Sequence, residues 1–131
     1  MKKLIGFIGL LILVSSCVYY DVEPRYDRDK FIGFYDAEEY SRTYGDMTYY
    51  ELRITRSHFE REVYIEDIYL AGLRVYAKVD RNNIRIPRQV IDGYEIEGSG
   101  SIYGSKLRLD YRVTDLYSYD PTDYCEITAW R

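Results

Sequence analysis

The sequence has little of what most enzymes use: one histidine, two cysteines, one tryptophan and three prolines occur in 131 residues. His58 lies in the charged segment Arg56-Ser57-His58-Phe59-Glu60-Arg61, with no second imidazole to share a metal ion and no cysteine beside it to activate. Cationic surplus is also missing. The formal charge of −4 excludes the electrostatic footprint of a nucleic-acid-binding protein and a polybasic grip on anionic lipid. No apolar run approaches the roughly 20 residues that a membrane-spanning helix needs.

One shorter apolar run does stand out. Lys2 and Lys3 precede Leu4 to Val14, and Val14-Ser15-Ser16-Cys17 follows. A basic start, an apolar stretch of this length and small residues before a cysteine form a secretory signal, expected over residues 1–16, with Cys17 as the lipidated first residue of the mature chain. The last four of these residues resemble the lipobox of bacterial lipoproteins, with Val14 where leucine is usual. The expected partner is therefore a membrane, reached through acyl chains on Cys17, each buried methylene contributing about 0.8 kcal/mol. Val18-Tyr19-Tyr20-Asp21 has no aspartate at the second mature position, and the expected location is the outer membrane, facing the periplasm.

Without the signal, 16 basic residues face 22 acidic ones, and tyrosine is abundant, with 17 copies. Residues 17–30 are polar, contain Pro24 and show no periodicity, which reads as a lipidated tether. From residue 31 to 131 the pattern becomes short alternating runs. Leu73, Val75, Ala77 and Val79 share one face against Arg74, Tyr76, Lys78 and Asp80, and Leu107, Leu109, Tyr111 and Val113 repeat the design. Strands are expected near 31–40, 48–56, 61–70, 73–80, 83–91, 94–102, 106–115 and 123–130. Tyr44-Gly45-Asp46, Ala71-Gly72, Asn82-Asn83, Asp92-Gly93 and Tyr103-Gly104-Ser105 separate them with turn chemistry. Eight strands with short links make an all-β fold, a single antiparallel up-and-down barrel.

With Arg28-Asp29-Lys30-Phe31-Ile32-Gly33, Ile86-Pro87-Arg88-Gln89 and Gly98-Ser99-Gly100 added to that alternation, the chain resembles a lipocalin-like group of small bacterial lipoproteins. The resemblance implies a lipid-anchored β-barrel and no catalytic residues. In that group the first strand often carries a cysteine able to pair with one near the C-terminus. This chain has Glu38-Glu39-Tyr40 there, so Cys125 is expected to be unpaired, buried and inert.

Other constellations carry weaker chemistry. Gly98-Ser99-Gly100 is followed by strand-like sequence and not by the helix N-terminus that a phosphate loop needs. Gly98 and Gly100 share parity with Ile96 and Ile102, so their missing side chains permit either a sharp barrel corner or space for a ligand. The carboxylates Asp36-Glu38-Glu39, Glu51, Glu66-Asp67 and Glu95-Glu97 read mostly as a solvated sheet face. Asp115, Asp120 and Asp123 are the best calcium candidates, but they lack EF-hand spacing. Neither metal nor cofactor is expected, and no enzymatic activity.

Two functions remain. The first is a small apolar ligand held in the barrel interior by Val75, Ala77, Ile84, Ile96, Leu107, Leu109 and Ile127. The second is an interaction or structural lipoprotein, an accessory subunit or an inhibitor of an envelope-directed enzyme, using an exterior rich in arginine and tyrosine, including Tyr49, Tyr64, Tyr76, Tyr117 and Tyr119.

Overall fold

A computed structural model describes residues 27–131; the signal segment, Cys17 and most of the expected tether lie outside the described residues. The eight alternating runs form eight strands: β1 (Gly33–Ser41), β2 (Met47–Arg56), β3 (Glu62–Ile68), β4 (Leu73–Asp80), β5 (Asn83–Ile91), β6 (Tyr94–Tyr103), β7 (Lys106–Asp115) and β8 (Asp123–Trp130). Each pairs antiparallel with its sequence neighbours, and β1 pairs with β8 from Asp36↔Trp130 to Ser41↔Cys125, closing the barrel. Among the described residues, closure leaves no sheet edge for strand addition.

Up-and-down connectivity gives the barrel two distinct ends. Connections 42–46, 69–72, 92–93 and 116–122 form the mouth, while 57–61, 81–82 and 104–105 form the floor. The end of the expected tether is not free chain. Asp27–Lys30 make a 3-10 turn on the floor, where Arg28 donates to the carbonyls of Ser57 (2.9 Å) and Phe59 (2.7 Å), and the Arg81 amide donates to Asp27 (2.8 Å). This turn sets Phe31 in the barrel as a plug, fully buried, with the Tyr35 hydroxyl donating to its carbonyl at 2.7 Å. Arg131 crosses the same end, donating to the carbonyls of Ile32 and Gly104.

Two irregularities bend the wall. The β3–β4 register shifts between Glu66 and Ile68, where Asp67 takes φ 68°, and Tyr69 and Leu70 follow with positive φ. Strand β3 therefore ends at Ile68, two residues before the alternation predicts, and Tyr69 turns over the mouth. The second irregularity lies around Pro87, where the β5–β6 register shifts between Ile86 and Gln89. Proline supplies no ladder donor, and β4 pairs with β5 through three residue pairs, Lys78↔Arg85 to Asp80↔Asn83. The Gln89 side chain replaces the missing ladder: its amide donates to the Tyr76 carbonyl (2.9 Å) and accepts from the Tyr76 N–H (3.1 Å). A side chain thus acts as a strand segment.

Inward parity fills the barrel. Val75, Ala77, Ile84, Ile96, Leu107, Leu109 and Ile127 all face the interior, and all are 0–2% exposed. A void able to hold a ligand would leave accessible surface on the residues lining it, and these side chains pack instead against Phe31, Leu52, Ile54 and Ile65. The glycines contribute to this filling. A β-carbon on Gly98 would lie 2.5 Å from the Asp110 carbonyl oxygen, and one on Gly100 would lie 1.9 Å from that of Arg108. Their missing side chains admit the neighbouring strand.

Candidate functional site

Toward the mouth the interior changes from apolar to polar. Glu39 and Ser41 continue the inward parity of Tyr35 and Ala37 on β1, and Asp123 continues that of Cys125 and Ile127 on β8. The carboxylates of Glu39 and Asp123 are 6% and 4% exposed, and burial of this kind demands hydrogen-bond donors. Tyrosines provide most of them. The Tyr50 hydroxyl donates to Glu39 Oε1 at 2.8 Å and that of Tyr111 to the same oxygen. Asp123 accepts from Ser41 Oγ (2.5 Å) and from the Tyr69 hydroxyl (2.7 Å). Tyr69 also meets Tyr94 and Tyr111 edge to face, with ring centroids 6.3 and 6.4 Å away.

The protonation pattern follows from burial. Tyr50, Tyr69 and Tyr111 are pushed well up, first by burial and then by the charges beside them, so all three stay protonated as donors. Burial first, and the like charge of Asp123 in support, raises the Glu39 carboxyl above the usual carboxylate value, against the hydroxyls of Tyr111 and Tyr50 that pull it down. Cys125 is buried and unpaired, and burial, with Glu39 and Asp123 adjacent, keeps its thiol protonated. His58 sits in the β2–β3 connection on the floor, at the opposite end from this thiol.

Because the folded Glu39 binds its proton more tightly than the unfolded chain does, its contribution to stability is complete below the unfolded value. That contribution is lost as pH rises through the folded one. Once ionised, the buried carboxylate works against the fold. Glu39→Gln keeps an acceptor for the tyrosines without the charge, so its thermal midpoint should exceed the wild type's at pH 8, with the gap closing toward pH 4. Differential scanning fluorimetry across that range checks this, and an offset independent of pH would contradict it.

Above the network two clefts open. One, of about 300 Å³, is lined by Glu39, Ser41, Tyr44, Asp46, Tyr69 and Asp123 among others. The second, of about 160 Å³, lies between Tyr44, Tyr69, Tyr94, Asp115, Asp120 and Asp123. The structure therefore gathers the three aspartates singled out as calcium candidates at one cleft, but not as a ligand set. Both Asp123 oxygens are taken by hydroxyls, and Asp115 accepts from the Tyr117 amide at 3.0 Å. Among the described residues no three His, Cys, Asp or Glu side chains are grouped to hold a metal ion. What the clefts offer is negative charge beside aromatic faces, chemistry that fits an ammonium or guanidinium group.

Sequence reasoning reads Glu39 as part of a mostly solvated face and Asp123 as a calcium candidate. The overlooked signal was parity: each lies two residues from a buried member of its own strand, Ala37 and Cys125. Interior residues expected to bind a ligand form the core beneath this site. No family model matches the chain, and no curated protein matches it.

Proposed function

We propose that this chain is a lipid-anchored binding module of lipocalin-like architecture, held at the cell envelope through Cys17, that takes a small cationic ligand in the mouth of its barrel. The observation that carries the reading is the contrast between the two parts of the barrel. Its apolar interior is packed shut, while its mouth keeps two open clefts over a pair of buried carboxylates. A filled core leaves binding to the outside. A buried carboxylate raised above its usual value gains from a positive neighbour, and Tyr44, half exposed, gives that neighbour an aromatic wall.

Further support comes from the tether. The described residues begin at Asp27 on the floor, the end opposite the mouth, and an anchor on Cys17, ten residues earlier, would leave the mouth free if it held the barrel by that end. The resemblance to lipocalin-like lipoproteins agrees with an anchored barrel. A binding role agrees with the site's hydrogen bonding: the Glu39 and Asp123 carboxylates are held by hydroxyl donors, and the buried Cys125 thiol stays protonated.

Choline and putrescine are suitable probes, titrated into the full chain in detergent micelles and followed by NMR, with palmitate as the apolar comparator. The amines should shift Tyr44 and Tyr69 ring signals saturably. Asp46→Asn with Asp120→Asn, which spares the buried network, should weaken them at least fivefold. Saturable binding of palmitate without amine binding would sink the reading.

A further inference from the structure

The outer wall of the barrel carries two contrasting charge patterns. From the Arg53 end of β2 round to β7, opposite charges interlock. Glu66 lies between Arg53 (3.7 Å) and Arg74 (3.6 Å), and Glu95 between Arg88 (3.1 Å) and Arg112 (3.6 Å). On the β8–β1–β2 side they do not. Register sets Asp36 on β1 directly across from Glu51 on β2, and Glu126 on β8 directly across from Asp110 at the neighbouring edge of β7, with Glu38 between Tyr49 and Thr128. Like charges in directly opposed positions destabilise a sheet. Among the described residues none of these five carboxylates makes an ion pair.

The same wall exposes aromatic surface. Tyr49 is 68% exposed, Trp130 40% and Tyr40 39%, and they alternate with the carboxylates in the cross-strand rows. Tyr49 and Trp130 line a groove of about 290 Å³ together with Asp36 and Glu38. A long cationic side chain laid in this groove would meet a carboxylate pair at its charged end and aromatic faces along its stem.

We propose that the β8–β1–β2 face is a docking surface for a basic protein, one that presents arginine or lysine side chains to the Tyr49–Trp130 groove. Charge complementarity selects this occupant over a second copy of the chain, because two copies of this face would set carboxylates against carboxylates. The surface is separate from the mouth, so a basic protein and a small amine can be bound together.

Horse cytochrome c is a suitable basic probe, with succinylated cytochrome c as its charge-reversed control, each titrated into the full chain in dodecyl maltoside at low salt. The native probe should bind and the succinylated one should not. Asp36→Asn with Glu51→Gln should weaken binding at least fivefold, and so should Tyr49→Ala. Glu60→Gln with Asp92→Asn, removing the same charge elsewhere, should change it less than twofold. The unfolding midpoint of the Asp36/Glu51 variant should hold or rise, since a repulsive pair is relieved, which separates lost docking from lost folding. Equal weakening by both charge pairs, absence of cytochrome c binding, or self-association through this face would overturn the proposal.

Discussion

Replacing Gly100 with valine is expected to leave no folded protein, and alanine at the same position should cost about 3 kcal/mol or more, a large share of a typical domain's stability. The cause is the approach of β7. An added β-carbon would stand 1.9 Å from the Arg108 carbonyl oxygen and 2.8 Å from Leu109 Cδ2, and the first of these is backbone that no rotamer change can move. Relief requires β6 and β7 to separate, in a sheet where they pair continuously from Tyr94↔Asp115 to Tyr103↔Lys106. Gly45 is the comparison. It sits in a turn at φ 74° with open space around it, so alanine there meets only the backbone preference, about 1 kcal/mol. Guanidinium unfolding followed by the single tryptophan, Trp130, reads both. Gly100→Ala within 1 kcal/mol of wild type would show that the strands are not this close.

The second large effect is expected at Cys17. If this residue is acylated, Cys17→Ser removes every acyl chain at once, and the anchoring energy of about 0.8 kcal/mol per buried methylene goes with them. The membrane-bound fraction should fall from nearly all of the protein to almost none, and palmitate labelling should vanish. Intact mass of the wild-type chain should show loss of residues 1–16 and a gain of acyl mass. A serine variant that stays in the membrane fraction, or a wild-type chain that keeps residues 1–16 without lipid, would contradict the anchor.

Most of the barrel was legible in the sequence because one periodicity governs it. Residues alternating in and out along β4 and β7 announce strands, and Gly or Asn between runs announces turns, so strand count and topology follow. The irregularities were not legible. Nothing local in Glu66-Asp67-Ile68 announces a bulge, because the register shift is decided by the strand beside it. Nor does anything local mark Gln89. Its role as a surrogate ladder depends on Pro87 having displaced β5 from β4.

The site was partly legible, for a related reason. Parity alone puts Glu39 and Asp123 inside, but a carboxylate on an inward position is costly unless donors reach it. Those donors come from Tyr50, Tyr69 and Tyr111 on three other segments, and no spacing along the chain brings them together. The interior is legible only as a choice between two states. Apolar inward residues line a ligand cavity or fill a core with the same sequence pattern, and the difference depends on volumes that alternation does not encode. Phe31, seated by a 3-10 turn within the expected tether, and two glycines that draw β7 inward close the space here.

A packed interior is the central claim, and xenon tests it most directly, since apolar cavities too dry for water take up xenon readily. Methyl NMR of the full chain under xenon pressure should show no saturable shifts at Val75, Ile84, Leu107, Leu109 or Ile127. Saturable shifts at those methyl groups would reveal an interior cavity and return the ligand site to the heart of the barrel.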